Sequence, residues 1–173
     1  MDMQQQLQDL SHVVSAVANQ HRAIHDHINN ESGTLKSFLT NLFGRSATNF
    51  PSRLADSESL LLRLTKLLDN LSVFEREQGP SLTADQTHYF DVLFKFSDAL
   101  RQTVSSLVKR QQMLVSVAKG RLSLGDRSLF DRLRRNPPNW KNFKDVSGQY
   151  EKAIKAQQAI GKELNDLAPL IFS

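Results

Sequence analysis

The sequence contains no cysteine, one tryptophan and two tyrosines among its 173 residues. The absence of cysteine excludes disulfides, thiolate zinc sites and cysteine nucleophiles. No apolar run approaches the roughly 20 residues that a membrane-spanning helix needs, and the amino terminus lacks the basic and then apolar regions of a secretory signal. We therefore expect a cytoplasmic protein that is soluble or that binds a membrane peripherally.

Strand-like alternation and hairpin signals such as Asn-Gly are also missing from the sequence. In their place, apolar residues recur at alternating steps of three and four, which is the heptad spacing of helices that pack on one another. The pattern predicts an all-α fold of long antiparallel helices that form an elongated bundle or coiled coil. The predicted seam runs through Leu7, Leu10, Val14, Val17, His21, Ile24 and Ile28 and, past Glu31, through Leu35, Phe38 and Leu42, then Leu54, Ser57, Leu61, Leu64, Leu68 and Leu71, then Tyr89, Leu93, Phe96, Leu100, Thr103 and Leu107, and last Trp140, Phe143, Ser147, Tyr150 and Ile154.

Proline, glycine and capping residues divide the chain into four helices within one domain, residues 1–173. We predict Ser52 as the N-cap of the second helix and Ser81 or Thr83 as the N-cap of the third. Asn139 is placed to cap the fourth helix, and Pro169 should end or kink it. The predicted helices span about residues 3–43, 52–78, 82–124 and 139–168.

The sequence offers little catalytic chemistry. His21 and His25 lie one helical turn apart, and His27 and Asp26 are near them, but the glutamate between the two histidines of a zinc-protease helix is missing. No phosphate-binding glycine loop occurs either, so we expect no enzyme activity, no metal and no cofactor. His21 falls on the seam, where it would act either as a polar residue that sets helix pairing or as a pH-sensitive point.

Positive charge is concentrated in one part of the chain. Residues 109–144 contain ten basic residues against Asp126 and Asp131, a difference of +8, where the third helix turns into the fourth. Such a tip suits an anionic membrane surface, although nucleic acid would respond to the same charges and a solvated loop would carry them too. The basic residues are Lys109, Arg110, Lys119, Arg121, Arg127, Arg132, Arg134, Arg135, Lys141 and Lys144.

The order of these features resembles the BAR domain of the sorting-nexin type, a family of dimeric, curved, membrane-binding helical modules. The likeness rests on the leucine-rich residues 54–78, the aromatic entry YFDVLFKFSDAL at 89–100, the basic stretch 127–135, the Asn-Pro-Pro turn at 136–138 and a last helix in which Tyr150 and Glu151 continue the pattern.

The resemblance implies a homodimer or heterodimer that binds anionic, possibly curved, endosomal or other internal membranes in vesicle trafficking. It implies headgroup contacts from Lys109, Arg110, Lys119, Arg121, Arg127, Arg132, Arg134 and Arg135. It also implies a dimer or helix seam at Leu61, Leu64, Leu68, Leu93, Phe96 and Leu100.

A second hypothesis is a coiled-coil adaptor or assembly subunit that has no role in lipid binding. Tyr89, Phe90, Phe94 and Phe96 are more aromatic than one stripe requires, and they serve either as core or as a docking face for a partner helix. Nucleic acid is the least favoured partner, because the basic window contains few aromatic residues and no known reading motif.

Overall fold

The computed structural model describes residues 3–32, 50–122 and 140–172, and within these ranges the chain is helical with no strand. Four helices follow one another: α1 at Met3–Ser32, α2 at Phe50–Gln78, α3 at Ala84–Leu122 and α4 at Trp140–Ile171. A 3₁₀ turn at Gly79–Ser81 joins α2 to α3. The all-α prediction is confirmed. The predicted extension of the first helix to residue 43, the end of the third at 124 and the cap at Asn139 lie outside the described residues.

The starts of α2 and α3 differ slightly from the predicted ones. Helix α2 already begins at Phe50, so Ser52 lies inside its first turn and is not its N-cap. Helix α3 begins at Ala84 and is capped by Thr83, whose hydroxyl accepts a hydrogen bond from the Gln86 amide at 3.3 Å. The Gln86 side chain accepts one in return from the Thr83 amide at 3.0 Å, which completes a capping box.

The prediction that Pro169 ends or kinks α4 near residue 168 is wrong about the end, because the helix continues to Ile171. Because proline has no amide to donate to the preceding turn, the last turn must be held by other contacts. Here the Phe172 amide donates to the Ala168 carbonyl at 3.0 Å, and the Ile171 carbonyl accepts a hydrogen bond from Gln4 at 2.8 Å. The Phe172 ring also packs edge-on against Tyr89, with 5.1 Å between ring centroids.

The contacts of α3 show how the helices are oriented. Phe74 stacks near Phe90 beside the α2–α3 turn, while Gln112 reaches Glu58 far from it, so α2 and α3 run in opposite directions. Tyr89 meets the end of α4 and Arg110 meets its beginning, so α3 and α4 are also opposed. Helix α1 packs on α2 and α3 and is hydrogen-bonded to α4. The described helices therefore form one helical bundle.

The seam residues form the interior of this single chain. Leu64, Leu93 and Leu100 are fully buried, whereas Leu61, Leu68 and Phe96 are half-buried. In α2 the buried stripe agrees with the predicted one at Ser57, Leu64 and Leu71, but Leu60 and Leu67 take the places expected for Leu61 and Leu68. Three consecutive leucines at 60–62 make the two registers hard to separate by spacing. The buried stripe of α2 comprises Ser57, Leu60, Leu64, Leu67 and Leu71.

Candidate functional site

The residues predicted to contact lipid headgroups differ in where the structure places them. Lys109 is exposed on α3, as a membrane-binding residue must be. Arg110, the next residue, is only 6% exposed and lies in the core, so its predicted role as a surface contact is wrong. Its position three residues after Leu107 could have shown this, because that spacing continues the seam. The predictions for the side chains of Lys119 and Arg121, and for Arg127, Arg132, Arg134 and Arg135, fall outside the described residues.

Arg110 is buried against two aromatic rings of α4. Its guanidinium carbon lies 5.5 Å from the centroid of Phe143 and 5.9 Å from the centroid of Tyr150. The faces of these rings attract the cation, which partly offsets its loss of hydration. Burial nevertheless lowers the pKa of Arg110 from its ordinary value, with opposing contributions from Tyr150 and Glu151. A basic side chain is thus used to join α3 to α4 inside the bundle.

The Tyr150 hydroxyl is shared by two histidines of α1. It lies 3.2 Å from Nε2 of His21 and 2.8 Å from Nδ1 of His25. A phenol can donate one hydrogen bond and accept another. One neutral imidazole therefore accepts a hydrogen bond from the hydroxyl, while the other imidazole donates an N–H to the hydroxyl oxygen. The result is a cross-link between α1 and α4 in which at least one imidazole must be uncharged to accept the hydrogen bond of the phenol. We call His21, His25, Tyr150 and Arg110 the polar cluster.

The ionisation of the polar cluster follows from its burial. Desolvation lowers the pKa of His21 to about 4, with His25 acting in the same direction and Asp26 opposing it. Desolvation also lowers the pKa of His25, against the attraction of Asp26 and with the repulsion of Arg110. Burial raises the pKa of Tyr150, so its hydroxyl keeps its proton at neutral pH. Both histidines are therefore neutral and the phenol is un-ionised near pH 7.

This arrangement does not resemble a metal centre or a catalytic triad. Within the described parts of the chain, no group of three or more His, Cys, Asp or Glu side chains is placed to hold a metal ion. His21 and His25 direct nitrogens at the same phenol, which occupies the position that a shared ligand would need. The cluster can exchange hydrogen bonds and protons, and its structural effect is to fasten α1 to the α3–α4 pair.

Beside the polar cluster a groove opens between α1 and α4. Its volume is about 440 Å³, and Phe96 of α3 reaches it from the core. We call it the α1–α4 groove; it is lined by, among others, Ser15, Ala18 and His21 on α1 and Ile154, Gly161 and Leu164 on α4. Sequence reasoning missed it, because a groove arises from small and polar residues on two helices that are far apart in the chain.

Comparison of the sequence with protein-family models, with curated proteins and with solved structures finds no match. None of the helices in the described ranges is long and apolar enough to cross a membrane. Function must therefore be argued from the chain's own charges and surfaces.

Proposed function

We propose that this chain is a non-enzymatic helical scaffold that binds anionic membranes peripherally, in endosomal or other vesicle trafficking, as its resemblance to the BAR domain implies. The observation that carries the proposal is the concentration of basic residues where α3 ends and α4 begins. Ten basic residues lie in 109–144, and nine remain once the buried Arg110 is removed, against two acidic ones. Lys109 and Lys144, on the described flanks of this region, are exposed.

Electrostatic attraction of this kind is strong enough to be measured. Each Lys or Arg near an anionic leaflet contributes about 1 kcal/mol, so a few of them together favour binding substantially. Because the charges are on the surface, the attraction should weaken as salt is added. A peripheral, salt-sensitive contact is the mode that the proposal requires.

Charge reversal in the segment between α3 and α4, residues 123–139, which we call the connector, tests the proposal. In the triple variant Arg132→Glu, Arg134→Glu and Arg135→Glu, we expect the partition coefficient onto phosphatidylserine vesicles at low salt to fall by roughly a hundredfold or more. The matched control reverses three exposed lysines elsewhere, Lys66→Glu, Lys152→Glu and Lys155→Glu, which changes the net charge equally. Cosedimentation measures both. Equal losses in the two variants, or no sedimentation of the wild type, would reject the proposed contact.

The dimer that the resemblance implies needs a surface other than the predicted seam. Leu64, Leu93 and Leu100 are fully buried within one chain, so they cannot also contact a second chain unless the bundle opens. The half-buried Leu61 and Leu68 remain partly accessible on α2. We propose that any dimer of the folded chain forms along this side of α2.

The same side of α2 favours a second candidate function, that of an adaptor for partner helices. Leu54, Leu61 and Leu68 are half-buried at heptad spacing, and the neighbouring Leu62 is 58% exposed. Partly exposed leucines seven residues apart suit the groove-and-ridge packing of another helix. This surface does not include the basic region, so the two candidate functions can be separated.

Light scattering and pull-down with a charged variant of α2 separate the adaptor function from membrane binding. Leu61→Glu with Leu62→Glu should abolish dimerisation or partner capture while vesicle binding persists, because the connector charges are unchanged. Val13→Glu, at a residue that is 50% exposed on α1, is the control for an added surface carboxylate. A double variant that stays folded by circular dichroism and still associates like the wild type would reject this surface.

A further inference from the structure

The α1–α4 groove lies between two fixed contacts. At one end Gln4 donates a hydrogen bond to the Ile171 carbonyl, and at the other the Tyr150 hydroxyl joins His21 and His25. Between these ends the two helices face each other with short or polar side chains, so their surfaces do not fill the space. The groove is thus held open by the fold at both ends.

Gly161 shapes the floor of the groove. A Cβ at this position would lie 3.0 Å from Cε2 of Phe96, which is tighter than most carbon–carbon contacts, so the ring would have to shift by a few tenths of an ångström. Glycine therefore lets the half-buried Phe96 ring reach the groove between the helices. Ile154 and Leu164 add further apolar surface beside this ring. The floor suits an aromatic or acyl group.

The charged side chains that line the groove are all basic. None of the fourteen residues that line it is Asp or Glu, whereas Arg22 and Lys162 line it and are exposed. Uncharged amides such as Asn19 and Gln158 supply further hydrogen-bonding groups. An apolar floor with cations at its edge is complementary to a molecule that has an apolar body and an anionic group.

We propose that the α1–α4 groove is a binding site for a small anionic amphiphile, an aromatic or short acyl body that carries one carboxylate, sulfonate or phosphate. The volume of about 440 Å³ falls within the usual range for small-molecule sites. The apolar body contacts Phe96, Ile154 and Leu164, and the anionic group lies toward Arg22 and Lys162. None of the residues that line the groove belongs to the proposed membrane contact, and the site does not depend on that contact.

Two fluorescent probes test the chemistry of the site. 8-Anilinonaphthalene-1-sulfonate carries a sulfonate, and N-phenyl-1-naphthylamine is the same aromatic body without it. At pH 7.5 and low salt, we expect the anionic probe to bind with a Kd at least about tenfold lower than that of the neutral probe. Equal affinities would overturn the assignment of an anion-binding edge.

Matched tryptophan variants locate the site. Ser15 is exposed and lines the groove, whereas its neighbour Ala16 is exposed and does not. Ser15→Trp should fill the mouth of the groove and raise the Kd of the anionic probe by about tenfold or more, while Ala16→Trp should leave it unchanged. Similar affinities in the two variants would place the probe elsewhere and reject the groove.

Charge variants test whether the basic residues at the edge of the groove bind the anionic group. Arg22→Gln with Lys162→Gln should raise the Kd of the anionic probe severalfold and leave that of the neutral probe unchanged. Lys66→Gln with Lys152→Gln removes the same net charge from exposed lysines outside the groove and is the control. If the control weakens binding as much as the groove variant, the probe responds only to overall charge and the proposal fails.

Discussion

Lowering the pH should destabilise this protein through His21. The side chain is 5% exposed, Nε2 lies 3.2 Å from the Tyr150 hydroxyl, and His25 disfavours a positive charge on His21 more than Asp26 favours one. Protonating both histidines would leave two donors directed at one phenol oxygen and no imidazole to accept the phenol's proton. The folded state therefore resists protonation of His21 more than the unfolded chain does.

The magnitude follows from the lowered pKa. His21 has a pKa of about 4 when folded, against its ordinary value of 6.5. One pKa unit corresponds to about 1.4 kcal/mol, so the full difference is worth about 3 kcal/mol. Because the unfolded chain binds the proton first, the free energy of unfolding should decrease as the pH falls from about 6.5 to about 4 and change little through His21 below that. Above pH 7 the residue should contribute no pH dependence.

Urea unfolding followed by circular dichroism at pH 7 and pH 4 measures this loss, with His21→Gln as the decisive variant. The amide can still hydrogen-bond to Tyr150 but cannot be protonated in this range. On acidification from pH 7 to pH 4, we expect the free energy of unfolding of the wild type to fall by about 3 kcal/mol more than that of the variant. The control His12→Gln alters an exposed histidine of the same helix and should follow the wild type.

If His21→Gln loses as much stability between pH 7 and pH 4 as the wild type, the acid sensitivity originates elsewhere. His25, whose pKa is also lowered chiefly by desolvation, is one such source. Asp98 is not, because its pKa is lowered from 3.8, chiefly by its hydrogen bond from Arg101, and its contribution is lost only below about that pH. An NMR titration that gives His21 a pKa at or above 6.5 would also refute the role of His21.

Other substitutions have expected outcomes that unfolding measurements can check. Tyr150→Phe removes the hydroxyl that both imidazoles contact and should cost about 1–3 kcal/mol of unfolding free energy, and a loss below about 0.5 kcal/mol would show that the cross-link is not stabilising. Gly161→Val should cost about 1–3 kcal/mol, because its Cβ would crowd the Phe96 ring; an unchanged stability would mean that the ring moves freely. Thr83→Ala removes the cap that serves Gln86 and should cost about 1 kcal/mol, whereas Ser81→Ala should be neutral.

The fold class was predictable from sequence because heptad spacing reports directly on which side of a helix is buried. The register of a buried stripe was less predictable where apolar residues follow one another along a helix. In α2 three leucines follow one another, and only contact with the other helices decides that Leu60, not Leu61, is inside. The end of α4 was mispredicted for a related reason: local propensity stops a helix at Pro169, but the contacts of Phe172 and Ile171 extend it.

The candidate site was less predictable than the fold. His21 could be placed on the seam by spacing, and its polar or pH-sensitive role could be stated as alternatives. Its partner could not, since Tyr150 lies 129 residues away and only the packing of α1 against α4 brings the two together. The polar cluster bears on both alternatives: His21 joins α1 to α4 through Tyr150, and because burial lowers its pKa we expect that pairing to weaken in acid.

The burial of Arg110 changes what the membrane proposal requires. A contact along the length of a curved surface would use basic side chains distributed over α3, and Arg110 is one of those that the resemblance implies. Because its guanidinium lies over Phe143 and Tyr150 in the core, it is used to hold α3 to α4. The basic residues left for lipid are concentrated around the end of α3 and the connector to α4. Under the proposal, therefore, the chain meets an anionic surface at this end of the helices, and α2 and the α1–α4 groove remain available to other partners.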